Sequence, residues 1–281
     1  QEDGFINLSF EYREADETIR AVQRDDAAAL IEAGNTAVRQ PFAQTFGTPN
    51  VDDDYKIFFN FGVQASDVAE IYAFGNYAQR SVDGGFFYRN PDTRGGVFSN
   101  DGGETRLVAD LDPTDSISCP VVPGPNAPGI TPEQAQAELA AIIANPNCFV
   151  FNELFPGGFT PRFGGNLNDI AGTGGVRGEF DFGLYYDISA SAGRNEINFI
   201  IENTVNAALG PNTPTTFRPG TYVQLEKQVN IDLSYPIELD YFASPLNVAT
   251  GFEWREEQFE IRAGDPASFC LLYTSPSPRD F

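Results

Sequence analysis

Residues 222–235, YVQLEKQVNIDLSY, decide how the rest of the chain is read. Val223, Leu225, Val229, Ile231, Leu233 and Tyr235 alternate there with Gln224, Glu226, Gln228, Asn230, Asp232 and Ser234. Successive side chains of a strand point to opposite faces, so the stretch is a strand with one apolar and one polar face. A soluble sandwich strand is also apolar on one side. The unusual feature is a second face so uniformly polar over so many residues.

Working outward, the same alternation recurs. Ile6, Leu8, Phe10 and Tyr12 alternate with Asn7, Ser9, Glu11 and Arg13. Leu184, Tyr186, Ile188, Ala190 and Ala192 alternate with Tyr185, Asp187, Ser189, Ser191 and Gly193. Leu246, Val248, Thr250, Phe252 and Trp254 share one face, and Asn247, Ala249, Gly251, Glu253 and Arg255 the other. Tyr55, Ile57, Phe59, Phe61 and Val63 fall together, with Lys56, Phe58, Asn60 and Gly62 opposite. Two further strands are expected near Val68–Arg80 and Ile170–Phe180, where Gly and Ala leave the faces unassigned.

The connections between these seven strands carry an independent signal. In order they are long (14–54), short (Gln64–Asp67), long (81–169), short (Asp181–Gly183), medium (207–221) and short (Pro236–Pro245). A membrane barrel alternates short turns on one side with longer extracellular loops on the other. A sandwich has no reason to sort its loops by parity. The expected fold class is therefore all-β: an antiparallel transmembrane β-barrel fragment of about seven strands with long extracellular loops. With the long loops outside, the strand from Leu246 runs outward and brings Trp254 to the outer interface, where aromatic girdles sit. The strand ending at Tyr235 runs inward, and Lys227 falls in the outer half, where it can snorkel. Short helices are expected inside the two long loops, at Arg24–Gly34 and at Thr131–Asn145. Thr131 is a candidate N-cap there, Pro132 stands in the first turn and Pro146 is the stop.

Composition narrows the function classes. A net charge of −23 argues against a nucleic-acid partner, which needs a positive face. With 27 Gly, 20 Pro, 25 Phe and 11 Tyr the chain fits a turn-rich β protein decorated with aromatics, although an acidic secreted enzyme has similar totals. There is no histidine, which removes Ser-His-Asp and Cys-His catalysis and His-ligated zinc. No window holds the ~18 consecutive apolar residues of a transmembrane helix. The sequence lacks Met and opens on Gln1-Glu2-Asp3-Gly4, so its beginning is expected to be missing. Cys119 and Cys148 flank a Pro/Gly-rich segment and read either as a disulfide in an oxidising compartment or as two free thiols.

Candidate sites are few. The run Gly84–Gly96, GGFFYRNPDTRGG, offers Phe86, Phe87, Tyr88, Arg89 and Arg94, aromatic platforms beside guanidinium donors suited to carboxylate or planar groups. Its competing role is a packed loop anchor or upper girdle. Asp52-Asp53-Asp54 is read as the solvated start of a strand, since no spaced calcium-ligand series follows. Glu253, Glu256 and Glu257 resemble a glycosidase pair only superficially, because alternation separates Glu256 from the other two. The glycines of 172–178 lack the strand–turn–helix context of a phosphate loop. Glu226, Asn230 and Asp232 face the lumen. No catalytic residue, metal site or cofactor is expected.

Four stretches resemble TonB-dependent outer-membrane receptors of alphaproteobacterial type: IYAFGNYAQRSVDGGFFYRNP (71–91), ELFPGGFTPRFGG (153–165), ISASAGRNEINFIIENTVNAALGP (188–211) and LNVATGFEWREEQFEI (246–261). The resemblance covers residues 1–269 as a partial receptor barrel. It implies a large plugged barrel of roughly 22 strands in the bacterial outer membrane, taking up a scarce nutrient: a metal chelate, vitamin or saccharide. The implied partners are outer-membrane lipid, the small-molecule nutrient and the TonB complex. The last acts through an N-terminal plug region that nothing here matches. The alternative is a secreted acidic β-sandwich that binds or cleaves glycans. Residues 270–281, CLLYTSPSPRDF, resemble a translated sequencing-adaptor tail and are set apart as non-native.

Overall fold

The computed structural model describes residues 4–112 and 119–269, so the expected non-native tail lies outside the described residues. In chain order the elements are β1 (Gly4–Ala15), α1 (Asp25–Glu32), β2 (Asn50–Ser66), β3 (Ala69–Gly85), β4 (Ala109–Asp110), α2 (Pro132–Ile143), β5 (Cys148–Phe149), β6 (Arg162–Glu179), β7 (Tyr185–Glu202), β8 (Thr216–Phe217), β9 (Gly220–Ile237) and β10 (Leu246–Ala263). The long strands form one antiparallel sheet in the order β1-β2-β3-β6-β7-β9-β10, with β8 added beside β7. The chain is thus all-β and meanders, each long strand pairing with the next. The sheet is open: β1 and β10 each have a neighbour on one side only. Among the described residues no helix is long and apolar enough to cross a membrane.

Register sorts the side chains into rows across the sheet. One row reads Val63, Ile71, Val176, Ile188, Ile231 and Phe252, and the next reads Ile6, Phe61, Ala73, Gly174, Ala190, Val229 and Trp254. Between them, on the opposite face, lie Gly62, Tyr72, Gly175, Ser189, Asn230 and Glu253. Tyr12, Tyr55 and Tyr77 fall toward one margin of the apolar face and Tyr186 and Tyr235 toward the other. The glycines of β6 also take their faces from this register: Gly174 joins the apolar row, and Gly175, opposite Ser189, the polar side.

The meander puts residues 16–49, 86–161 and 203–219 at one end of the sheet. Asp67–Val68, 180–184 and 238–245 lie at the other. The strands run farther toward the long-connection end than alternation predicts. β3 continues to Gly85 rather than Arg80, β6 begins at Arg162 rather than Ile170, and β7 continues past its clean alternation at Gly193 to Glu202, short of the connection expected at 207. The reason is a change of phase. In β7 the apolar residues sit at even positions up to Ala192 and at odd positions from Ile197 through Phe199 to Ile201. A single-face pattern ends where the apolar face changes sides, although the strand does not.

A second correction concerns Asp52–Asp54. These residues lie inside β2, where Asp53 has φ 52° and the register shifts between Asp52 and Tyr55. The extra residue of this bulge turns Asp54 inward, and its side chain is 3% exposed rather than solvated.

The long connections fold together into a cap that holds three buried hydrophobic clusters. α1 buries Ala27 against Val38, Ala43 and Tyr88. Phe98, Phe149, Phe151 and Phe159 form a second cluster, and Val122, Ile142, Cys148 and Val150 a third. α2 starts at a capping box: the Gln134 N–H donates to the Thr131 hydroxyl at 3.3 Å and the Thr131 N–H to the Gln134 side chain at 2.9 Å. Cys119 and Cys148 are joined by a disulfide, with Cα atoms 5.9 Å apart. The Arg106 guanidinium is buried at 5% exposure and pairs with Asp92 at 3.1 Å. Arg162 ties cap to sheet, reaching Asp83 at 2.6 Å and Glu17 at 3.0 Å.

Candidate ligand sites in the cap and on the polar face

The run 84–96 leaves β3 and is pinned at once to the segment before β6. The Phe86 N–H donates to the Pro161 carbonyl, and Arg89 and Phe159 exchange backbone hydrogen bonds at 2.7 and 3.1 Å. This divides the five candidate residues. Tyr88 is 7% exposed, packs on α1, and donates its hydroxyl to the Gly157 carbonyl at 2.7 Å. Burial pushes the Tyr88 phenol up, with Asp26 and Asp92 adding to the shift. It belongs to the cap core rather than to a binding surface, because the backbone pairing of Arg89 turns its ring inward.

Phe86 and Phe87 stay exposed, edge to face at 5.5 Å, and Phe87 also meets Phe46 at 6.4 Å. The Arg89 guanidinium lies over the Phe86 ring, 5.7 Å from its centroid. Burial first and the neighbouring Arg94 second lower its affinity for a proton. Arg94 is exposed. A guanidinium above an aromatic ring, with a second near enough to lower its proton affinity, can hold a carboxylate or another planar anion. Elsewhere in the cap, Asp101 is held well below the usual carboxylate range by the hydroxyl and N–H of Thr105 and by Ser99.

The acidic residues near the end of β10 pair off. Glu256 lies opposite Lys227 on the apolar face, 4.0 Å from its ammonium. Glu257 and Glu226 face each other on the polar side, and Arg255 bridges them at 2.5 and 3.0 Å. Among the described residues no three His, Cys, Asp or Glu side chains are grouped to hold a metal.

The polar face carries a feature that the sequence reading passed over. Across β6, β7 and β9, Asp169, Asn195, Gln224 and Glu226 wall an open depression of about 300 Å³ whose floor includes Ala171 and Gly193. Asn195 donates to Asp169 at 2.8 Å, and Thr173 and Ser191 share a hydrogen bond at 2.9 Å. A second depression adjoins it through the shared Asp169 and Asn195 and is lined by Asp54, Lys56 and Arg80. Asp54 Oδ1 is buried there without a hydrogen-bond partner.

Toward the cap, on the same face, runs a ladder of rings. Phe163 stacks on Phe199 at 5.7 Å, Phe199 meets Tyr222 edge-on at 4.9 Å, and Tyr222 meets Phe259 at 5.5 Å. Phe163, Tyr222 and Phe259 are all exposed. The signal for the ladder was present as the odd-numbered alternation Ile197, Phe199, Ile201. It becomes legible only once β7 is known to run on to Glu202.

No protein-family model, no curated protein and no solved structure matches the chain.

Proposed function

We propose that the chain is part of the β-barrel of a TonB-dependent outer-membrane receptor, whose parent protein imports a scarce nutrient across the bacterial outer membrane. One observation carries this reading: the sheet's apolar residues form a continuous belt across its long strands and remain exposed or half-buried, while the packed clusters lie in the loops. The ten residue steps from Tyr235 to Leu225 span about 33 Å along the strand. At a tilt of roughly 40° that is about 25 Å of height, the depth of the apolar band on outer-membrane barrels.

The tyrosines at both margins of the belt fit interfacial girdles. The loop sorting fits short periplasmic turns and long extracellular loops. Among the described residues the other sheet is the two-stranded β4–β5 pair, so no sheet covers the belt as a sandwich requires. In this reading lipid covers the belt, the polar face lines the lumen, and further strands of a barrel of roughly 22 satisfy the open edges. The loop residues Phe86, Phe87, Arg89 and Arg94 are then accessible from outside as first contacts for an anionic or planar ligand. No catalytic role is assigned, and TonB coupling belongs to the plug region of the parent.

The test is a fold assay on the chain ended at Phe269. Antiparallel sheet and a cooperative unfolding transition are expected only in detergent micelles or lipid bilayers. A folded, monodisperse monomer in detergent-free buffer would sink the membrane reading.

A further inference from the structure

We infer that the polar face binds a neutral oligosaccharide, with the ladder Phe163–Phe199–Tyr222–Phe259 as stacking shelf and the adjoining depression as its hydrogen-bonding floor. The proposal takes from the receptor reading only that this face is the aqueous one.

Two observations on one face carry it. The first is the exposed ladder. Phe259 is 61% and Ile261 64% exposed on the side of the sheet that is otherwise polar. A continuous row of rings left bare on an aqueous face marks a recognition surface. The second is the depression directly below. Its groups are mixed donors and acceptors: the Asn195 and Gln224 amides, the Thr173 and Ser191 hydroxyls and the Asp169 carboxylate. Sugar hydroxyls both donate and accept, so amides and carboxylates in one depression match them in kind. The apolar faces of sugar rings match aromatic shelves.

Charge decides between ligand classes. The carboxylates here are already engaged: Asp169 with Asn195, Glu226 with Arg255, and Asp54 near Lys56 at 3.9 Å. The depression is therefore not short of cations. Its carboxylates in turn disfavour a polyanion. A wholly apolar occupant would cover the amides and hydroxyls without offering their remaining donors and acceptors a partner. An uncharged ligand rich in hydroxyls fits both halves of the surface. Asp54 Oδ1, buried and unpartnered at the far end, supplies one further acceptor for a hydroxyl.

The experiment is calorimetric titration of the full chain, folded in detergent micelles, with maltohexaose, cellohexaose and xylohexaose, and with hexagalacturonate as the anionic control. At least one neutral hexasaccharide is expected to bind and the galacturonate not. Phe199→Ala combined with Tyr222→Ala should weaken binding about tenfold or more, the loss typical of a well-packed aromatic contact. Tyr222→Phe, which keeps the ring, should stay within about threefold. Gln224→Ala is exposed, spares the ladder and should weaken binding several-fold, so the proposal remains testable if the double variant does not fold. Gln136→Ala, exposed on α2 in the cap, should change nothing.

Absence of binding by all three neutral sugars, tighter binding of galacturonate, or equal affinity in the Gln224→Ala protein would each overturn the proposal. Saccharide binding by a chain that folds without detergent would keep this inference and remove the receptor reading. A detergent-dependent fold with no saccharide bound would do the reverse.

Discussion

The sheet and the cap obey opposite rules. In β1, Ile6, Leu8 and Phe10 are 68, 73 and 68% exposed, whereas Phe98, Val122 and Val150 in the connections are at most 2% exposed. In a water-soluble protein the regular elements hold the core and the connections run over the surface. Here the connections bury their phenylalanines and the strands display theirs. Leaving a large apolar side chain exposed forgoes about 1.5–3 kcal/mol, so a belt repeated across the long strands calls for a cover. In the receptor reading proposed above, that cover is lipid.

The comparison can be broken by perturbing one region and reading the other. The largest effect should come from Arg106→Ala, which leaves Asp92 facing a cavity without its buried partner at a cost of roughly 3–5 kcal/mol. Hydrogen exchange should rise across 86–161 while β9 stays protected. Loss of protection in both regions would show that cap and sheet are one cooperative unit.

Next comes the disulfide. Replacing Cys119 and Cys148 by Ala opens a loop with a sequence separation of 29. The chain-entropy relation puts the loss at about 3.5 kcal/mol, visible as faster proteolysis of the cap with the sheet's unfolding midpoint in detergent unchanged.

The sheet's own test is Val229→Arg, near the middle of the belt, expected to cost about 2–4 kcal/mol in bilayers. Gln228→Arg, one residue away on the polar face, should cost almost nothing there. Equal effects at the two positions would mean that the faces are not in different solvents.

The smallest effect is acid sensitivity in the cap. The Asp101 carboxyl is depressed in the folded state, so the stability it contributes is present above its unfolded value of about 3.9 and is lost as pH falls through the carboxylate range. The stability gap between the native chain and Asp101→Asn should be open at pH 7 and close on acidification, followed by near-ultraviolet circular dichroism.

Much of the sheet was legible because side-chain period and backbone geometry are the same fact in a strand. YVQLEKQVNIDLSY assigns its own faces, and Thr131-Pro132 marks the start of α2, where the structure adds Gln134 to complete a capping box. The candidate sites were less legible. Tyr88 reads like Phe86 and Phe87 in sequence, and only the backbone pairing of Arg89 with Phe159 turns its ring into the cap core. Asp54 reads as one of three solvated aspartates until the bulge at Asp53 rotates it inward. The phase change between Ala192 and Ile197 ended the recognisable pattern of β7 and hid the ring ladder, since each strand contributes only one or two of its rings.

By itself, then, the sequence determined the strands, their order of appearance, the sorting of their connections and which face of each clean strand is apolar. All of these are local, fixed by the two-residue period and by the turn chemistry between runs. The tertiary structure decided which residues stand opposite one another, which connection residues pack into a core, and where the apolar face changes sides. Register joins residues far apart in the chain, and no local pattern specifies which distant strand will supply the partner.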